Sequence, residues 1–262
     1  MTTLEEIVAY TRNAVEQRRR ERTVAQLKAA IQQMPSALDF AAVLEGDGVA
    51  LIAEVKKASP SHGPLRRDLD HVAAAEAYAA AGVAAVSVLT EPGFFCGSLQ
   101  HLADIAASPV AHKVPLLRKD FIIDPYQVYE ARAHGADAVL LIAAALEEGV
   151  LRSLLSLSHD LGMGCLVETH DEGELDVAVA SGARVVGINN RDLRTFRVAL
   201  STFERLRPRV PAGRIVVAES GIHTPADVRR LASAGADALL VGEALVTAED
   251  IAAKTRELLC AT

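Results

Sequence analysis

The chain has few aromatic residues, no tryptophan and only three cysteines. Aromatic side chains make up 4% of its 262 residues, whereas 50% of the residues are apolar. The core must therefore be built from alanine, valine, leucine and isoleucine. Cys96, Cys165 and Cys260 form no C-x-x-C pair, and an odd number of cysteines argues against a disulfide framework. Such cysteine usage is typical of a reduced, cytoplasmic protein.

Long hydrophobic runs and basic patches are also missing. The longest apolar run, residues 138–146, is too short to span a bilayer, and residues 1–20 lack the features of a signal peptide. The formal net charge is -7, and Glu21 interrupts the densest basic cluster, residues 18–22. Proteins that bind nucleic acids usually present a broad basic surface. We therefore expect no membrane and no nucleic acid as a partner, and interpret the cluster as a solvated helix face.

One pattern recurs along the chain: a helical segment, small residues, a glycine and then an apolar run. Its glycines are Gly82, Gly135, Gly182 and Gly235. Glycine adopts the left-handed conformation at a helix C-terminus without a steric penalty, so each of these glycines is predicted to end a helix. The apolar runs do not alternate with polar residues, which indicates strands buried on both faces, as in a parallel sheet.

Apolar runs at eight places are candidate strands. They are residues 51–55, 83–89, 115–117, 138–142, 165–167, 185–188, 215–218 and 238–241. Segments with helical periodicity lie between them, including 69–81, 125–134, 171–180 and 224–234. This alternation predicts an α/β fold, a (β/α)8 TIM barrel closed by right-handed crossovers. An open doubly wound sheet is the alternative, although no G-x-G-x-x-G follows the first strand.

The residues before the first strand predict an N-terminal helical extension. Apolar residues recur at helical spacing through residues 4–34, and Pro35 is expected to end this single helix. No linker rich in glycine and serine follows. We therefore predict one domain of residues 1–262, with the extension at 1–47 and the barrel at 48–262.

Polar residues follow several of the candidate strands, and the carboxyl ends of the strands carry the active site in such barrels. They include Glu54, Lys56, Lys119, Glu168, Asn189, Arg191 and Glu219. A single one could belong to a structural ion pair. Acids and bases at the ends of five strands are better explained by function, because buried charges are costly unless they are paired or used.

Small residues follow the last two strands. Ser220 and Gly221 come after the seventh strand, and Gly242 comes after the eighth. They could simply form tight turns. Glycines also let backbone N–H groups approach an anion, and this position is the usual phosphate site of the fold. The agreement of two neighbouring loops favours a phosphate site.

Five stretches, in order, resemble the indole-3-glycerol-phosphate synthase family. They are residues 52–61, 87–98, 115–142, 166–193 and 217–222. The resemblance covers the barrel and the N-terminal extension. It implies a cytoplasmic lyase of tryptophan biosynthesis that converts a carboxyphenylamino-deoxyribulose phosphate into indole-3-glycerol phosphate, CO2 and water.

The resemblance also implies a role for each site residue. Lys119 corresponds to the general acid, and Glu168 to its partner in later proton transfers. Glu54 and Lys56 match the catalytic Glu-x-Lys of the first strand, and Asn189 and Glu219 match further polar residues of the pocket. Arg191 is expected to orient the substrate. The positions expected to bind phosphate are Ser59, Ser220, Gly221 and Gly242, and those expected to pack on the benzene ring are Phe95 and Phe121.

Two residues depart from the family pattern. His62 stands where the family often has a lysine of the mobile first loop, so the closure of that loop is in doubt. Glu243 stands where some relatives carry a serine. A carboxylate would repel a phosphate, so we expect Glu243 to point away from it.

The implied chemistry uses no cofactor and no metal, and the eight histidines show no zinc-ligand spacing. We expect a small-molecule substrate and a monomer, with larger oligomers left open. Two alternatives remain: another phosphosugar barrel enzyme such as phosphoribosylanthranilate isomerase, or a barrel that binds a phosphate ligand without converting it. No cysteine ends the first strand, which argues against the isomerase. The combination of Lys56, Lys119 and Glu168 argues against the binding protein.

Overall fold

The structure, a computed structural model, describes residues 4–46, 48–59 and 63–261 of the chain. The predicted domain boundary at residue 47 and the departure at His62 lie outside the described residues. Within the described part, no helix is both long enough and apolar enough to cross a membrane.

Parallel strands close into a barrel, as the alternating pattern predicts. Within the described residues its eight strands are β1 (Ala50–Val55), β2 (Ala85–Leu89), β3 (Leu116–Lys119), β4 (Ala138–Ile142), β5 (Gly164–Thr169), β6 (Val185–Asn189), β7 (Ile215–Glu219) and β8 (Ala238–Val241). Each strand pairs with its neighbours in sequence, and β1 pairs with both β2 and β8. This closure excludes the open doubly wound sheet.

Helices follow every strand and cover the outside of the barrel. They are α3 (His71–Ala81), α4 (Pro92–Phe95), α5 (Leu99–Ala106), α6 (Pro125–Ala133), α7 (Glu148–Asp160), α8 (Glu172–Ala180), α9 (Ser201–Leu206), α10 (Pro225–Ser233), α11 (Glu243–Val246) and α12 (Ile251–Leu259). The four repeat glycines have φ angles between 89° and 97°. The prediction that they occupy the left-handed position after a helix is therefore confirmed.

The N-terminal extension is helical, but the prediction of a single helix is wrong. The structure has α1 (Leu4–Glu21) and α2 (Val24–Ile31). Thr23 begins α2 with a capping box, in which its side chain and that of Gln26 each bond the other residue's backbone N–H. This reciprocal bonding stabilises a new helix start, so it interrupts a segment whose apolar spacing looks continuous.

Two apolar cores lie on the two sides of the strands. Leu117, Leu166 and Val217 belong to a cluster inside the barrel, which also includes Ile7 of α1. Leu116, Val167 and Val216 belong to the larger cluster that includes residues of the surrounding helices. Residues alternate between the two cores along each strand, and the same alternation directs the polar residues near the strand ends.

Candidate active site

A cavity opens at the carboxyl ends of the strands, and every predicted site residue lines it. The lining includes Glu54, Lys56, Ser59, Phe95, Lys119, Phe121, Glu168, Asn189, Arg191, Glu219, Ser220, Gly221 and Gly242. The fold therefore brings the predicted site residues together around one cavity, although they are up to 188 positions apart in the chain.

Lys119 lies between two buried carboxylates at the base of this cavity. Its Nζ donates a hydrogen bond to Glu168 Oε2 at 3.0 Å and lies 3.5 Å from Glu219 Oε2. Both glutamates are 2% exposed in their side chains, against 15% for Lys119. The ammonium is thus held by the protein while it still faces the cavity.

This packing of charges shifts the pKa values of all three groups. Burial disfavours the charged form of Lys119, but the surrounding carboxylates outweigh burial and raise its pKa above the ordinary value. Burial also disfavours the charged form of Glu168, which by itself would raise its pKa. Lys119 and His170 outweigh burial and lower the pKa of Glu168. Burial and the neighbouring Glu168 raise the pKa of Glu219 to about 8. At neutral pH the site therefore holds an ionised Glu168 and a protonated Glu219.

The close approach of Glu219 depends on a residue without a side chain. Gly187 of β6 lies against Glu219 Oε1, so that even a methyl group there would displace the carboxyl. Glu219 Oε1 is itself buried without a hydrogen-bond partner among the described residues. This oxygen therefore packs against the backbone of β6, while the other carboxyl oxygen faces Lys119.

Glu54 and Lys56 form a second acid–base pair at the end of β1. Glu54 Oε1 lies 2.8 Å from Lys56 Nζ, with the glutamate 5% and the lysine 16% exposed. A Cβ atom on Gly242 would lie 2.5 Å from the same Glu54 oxygen. The missing side chain at Gly242 thus gives Glu54 its position, a reason that the sequence interpretation did not identify.

Asn189 links the central carboxylate to the next loop. Its Nδ2 donates to Glu168 Oε1 at 3.1 Å, and its Oδ1 accepts from the backbone N–H of Arg191 at 3.0 Å. The Arg191 guanidinium donates to the Phe196 carbonyl at 3.4 Å. Arg191 is therefore held at the cavity wall by its own loop.

Two consecutive residues of the predicted phosphate turn have positive φ angles. Ser220 has φ 65° and Gly221 has φ 78°. A Cβ atom on Gly221 would lie 2.5 Å from Val198 Cγ1. The glycine is thus needed for the fold of the turn, whatever the turn binds.

Two aromatic side chains form an apolar wall. The ring centroids of Phe95 and Phe121 lie 6.0 Å apart, with planes inclined at 41°. Phe95 ends the short helix α4, whose first backbone N–H groups are capped by the buried carboxylate of Glu91. This cap fixes one side of the wall.

Sequence reasoning missed two contributions to the site. Leu4 and Ile7 of the N-terminal extension line the cavity. His170 lies behind Glu168, with Nε2 at 3.2 Å from Glu168 Oε1. The alternation along a strand offered a signal for His170, because it comes two residues after Glu168.

Glu243, which is expected to point away from a bound phosphate, has its carboxylate next to Arg191 in the structure. It lines the cavity, and its Oε2 lies 3.7 Å from Arg191 Nη2. The positive charge of Arg191 offsets the carboxylate and accounts for its place there.

Almost the whole chain matches the model of one protein family. The family model for indole-3-glycerol phosphate synthase matches residues 4–258. The chain belongs to the indole-3-glycerol phosphate synthase family. The family match includes the N-terminal helices as well as the barrel, which agrees with the presence of α1 at the cavity.

Individual members of the family are similar over their full lengths. An indole-3-glycerol phosphate synthase from Dehalococcoides mccartyi is 55% identical over 98% of this chain and 99% of its own. One from a Roseiflexus species is 51% identical over 98% of both chains. Among solved structures, the 3-hexulose-6-phosphate synthase of Salmonella typhimurium superposes with a TM-score of 0.63 at 16% identity, covering 81% of this chain and 98% of its own. This last likeness concerns the fold alone.

Among the described residues, no group of three or more histidine, cysteine, aspartate or glutamate side chains is arranged to hold a metal ion.

Proposed function

We propose that the chain catalyses the decarboxylative ring closure of 1-(2-carboxyphenylamino)-1-deoxyribulose 5-phosphate to indole-3-glycerol phosphate, CO2 and water in tryptophan biosynthesis. The observation that carries this proposal is the placement of Lys119 between Glu168 and Glu219 inside a cavity lined by every residue that matches the family pattern.

Ring closure requires an acid. The aromatic carbon that carries the carboxylate attacks the sugar ketone, and the ketone oxygen must take up a proton as the new bond forms. Lys119 is charged and faces the cavity, so it is the donor in this proposal. The carboxylates of Glu168 and Glu54 keep the surrounding field favourable to the cation.

Loss of CO2 then needs no external electron sink. Ring closure leaves an iminium, which accepts the electron pair of the breaking carbon–carboxylate bond. The hydroxyl formed from the ketone next leaves as water, and a base removes a proton from the adjacent CH2 carbon to give the aromatic indole. Glu168 is the base in this proposal, because it is ionised and therefore able to accept a proton, and because Asn189 orients it.

Substrate binding is divided between two sides of the cavity. We assign the phosphate to Ser59, Ser220, Gly221 and Gly242, and the benzene ring to the wall formed by Phe95 and Phe121. Arg191 then orients the anionic substrate from its loop. We further propose that the protein is cytoplasmic and monomeric. A solution mass near 27.7 kDa would support the monomer.

Indole fluorescence tests the reaction directly. Addition of the carboxyphenylamino substrate should produce an indole signal in proportion to the enzyme. An isomerase or a protein that only binds phosphate compounds would produce none. Detection of substrate binding by calorimetry without any indole signal would support the binding protein instead.

The phosphate assignment needs a substitution that the turn tolerates. Gly221→Asp would combine a new charge with backbone strain and a clash with Val198, so its effect would be ambiguous. Ser220 already has φ 65°, a conformation that asparagine and aspartate adopt more readily than most residues. We expect Ser220→Asp to raise KM severely by repelling the phosphate, whereas the uncharged control Ser220→Asn should change KM little. Equal KM values for the two variants would place the phosphate elsewhere.

A further inference from the structure

The buried carboxylate of Glu168 is connected to a second cavity through a histidine. His170 Nε2 lies 3.2 Å from Glu168 Oε1, and His170 Nδ1 lies 2.9 Å from Glu174 Oε2. The exposed fraction of the side chain rises along this series, from 2% at Glu168 to 11% at His170 and 21% at Glu174. The three groups thus form a path from the centre of the barrel towards solvent.

This path leaves the barrel away from the substrate cavity. His170 and Glu174 line a second cavity, together with residues of the loop after β6 such as Arg194 and Arg197. Leu4, Asn189 and Leu193 line both cavities and therefore form the wall between them. A substrate that fills the first cavity would leave the second one open to water.

The proposed reaction consumes a proton in every turnover. One proton goes to the ketone oxygen and a second to the hydroxyl that leaves as water, while only one is released from the CH2 carbon. The net uptake of one proton balances the departure of a carboxylate as neutral CO2. Solvent must therefore return one proton to the buried acid–base groups in each cycle.

We propose that Glu174 and His170 form a proton relay that delivers this proton from the second cavity to Glu168 and, through it, to Lys119. The inference rests on the proposed function, because only a proton-consuming reaction requires it. The relay makes His170 and Glu174 proton-transferring groups that act through Glu168 and do not contact the substrate.

The geometry of the imidazole suits a relay better than a rigid support. Glu174 Oε2 anchors both the backbone N–H and the Nδ1 of His170, at 2.8 and 2.9 Å. At the other side, Nε2 is buried and lacks a well-aligned hydrogen bond to any described residue, although it contacts Glu168. A ring fixed at one nitrogen and loosely aligned at the other can turn as it transfers a proton.

The neighbouring charges give the transfer its direction. Burial opposes a charge on His170, but the contacts with the carboxylates of Glu168 and Glu174 outweigh burial and raise its pKa to about 10, so the ring carries a proton at neutral pH. Lys119 and Asn189 also face Glu168. When Lys119 has given up its proton, Glu168 loses its nearest positive charge and its proton affinity rises. The transfer from His170 then becomes favourable.

The test compares the first turnover with later ones. His170→Gln keeps an amide within reach of Glu168 but cannot pass on a proton. Under single-turnover conditions we expect a rate within a few-fold of the parent, because Lys119 is already charged. Steady-state kcat should fall by about tenfold, less than the loss of a direct acid–base group causes. His170→Ala should recover kcat as imidazole is added, and Glu174→Gln should resemble His170→Gln.

Glu172→Gln is the matched control. Glu172 lies on α8, as Glu174 does, but its carboxylate pairs with Arg205 and contacts neither His170 nor Glu168 in the proposed relay. Its steady-state and single-turnover rates should equal those of the parent. The relay is refuted if kcat of His170→Gln stays within twofold of the parent. It is also refuted if the single-turnover rate falls as much as kcat and imidazole restores neither, since His170 would then only position Glu168. A parent enzyme that forms no indole would instead contradict the proposed function.

Discussion

Arg118 and Lys119 are consecutive residues of β3, yet they belong to two very different charged clusters. The side chain of Arg118 points outwards to α6 and is fully buried, whereas that of Lys119 points into the barrel and faces the cavity. The alternation of side chains along a strand separates them. Every nitrogen of the outer cation donates a hydrogen bond within the protein, whereas the inner cluster contains a carboxyl whose pKa is raised to about 8.

The outer cluster satisfies its cation at every nitrogen. Arg118 donates from Nε to Thr90 Oγ1 at 3.1 Å, from Nη1 to the Gln127 carbonyl at 2.9 Å and from Nη2 to Asp120 Oδ2 at 2.8 Å. Glu130 adds a second carboxylate, which Arg18 of α1 also contacts. Two arginines thus balance two carboxylates, and the cluster ties β3 to α6 and to the N-terminal extension.

The inner cluster contains more carboxylates than lysines. Glu54, Glu168 and Glu219 share Lys56 and Lys119, and Glu219 responds with a pKa of about 8. A carboxyl with a pKa near the working pH is suited to proton transfer. Burial of a charge therefore says little about its role, whereas a carboxyl with a raised pKa next to a cavity indicates function.

We expect the largest effect when the inner cation, Lys119, is neutralised. Lys119→Met keeps the length and apolar bulk of the side chain but removes the proposed proton donor. We expect kcat to fall by about 10²–10⁴-fold, with a smaller change in substrate Kd, because the proton matters most in the transition state. Rapid kinetics and calorimetry on the folded variant measure both values.

Lys113→Met provides the control for this substitution, because Lys113 is exposed and precedes the amino end of β3. It should keep the parent kcat. A kcat of Lys119→Met within a few-fold of the parent would remove Lys119 as the acid and leave Lys56 as the candidate.

Neutralising the outer cation should affect stability instead of chemistry. Arg118→Met leaves Asp120 and part of the charge of Glu130 buried without their partner, so we expect a loss of about 3–5 kcal/mol in the free energy of unfolding. The fraction that remains folded should keep kcat within a few-fold. Urea unfolding gives the stability, and Arg230→Met, which breaks an exposed pair with Glu204, should change the free energy of unfolding far less than Arg118→Met does. The comparison would fail if Arg118→Met lost activity without losing stability.

The raised pKa of Glu219 predicts a pH dependence of stability. The folded protein binds this proton up to about pH 8, whereas the reference value for a free glutamate is 4.5. Its contribution to stability is therefore fully present below pH 4.5 and is lost as the pH rises to 8. Glu219→Gln lacks this loss, so its stability relative to the parent should increase steadily from pH 5 to pH 8.5. Urea midpoints across this range that differ by a constant amount would contradict the assignment.

The smallest effect is expected at the rim of the inner cluster. Glu243 contacts Arg191 at 3.7 Å, and both side chains are partly exposed, so their interaction is weak. Glu243→Gln should lower KM by less than about tenfold, since it removes a negative charge near an anionic substrate. Glu249→Gln changes the net charge equally at an exposed position and should leave KM unchanged. An increase in KM for Glu243→Gln would indicate that the carboxylate positions Arg191 for binding.

Several strands extend further towards their carboxyl ends in the structure than the apolar runs predict. The predicted strands stop before Lys119, Glu168, Asn189 and Glu219, but in the structure each of these residues lies within β3, β5, β6 or β7. An apolar run ends at the first polar side chain, whereas the strand continues because its backbone pairing does not depend on side-chain polarity. The sequence interpretation therefore put these residues at the strand ends, and the structure shows that they still belong to the strands.

The barrel, the glycine-ended helices and the set of residues around the cavity could all be predicted from the amino-acid sequence. These follow from local regularities, namely apolar periodicity, helix termination and motifs in a fixed order. The pairing of Glu243 with Arg191 and the second cavity beside His170 and Glu174 could be learned only from the three-dimensional arrangement. Both depend on distances between atoms of different strands, helices and loops. Such distances are set when the strands close into a barrel and the loops pack over its end, and the order of residues along the chain does not contain them.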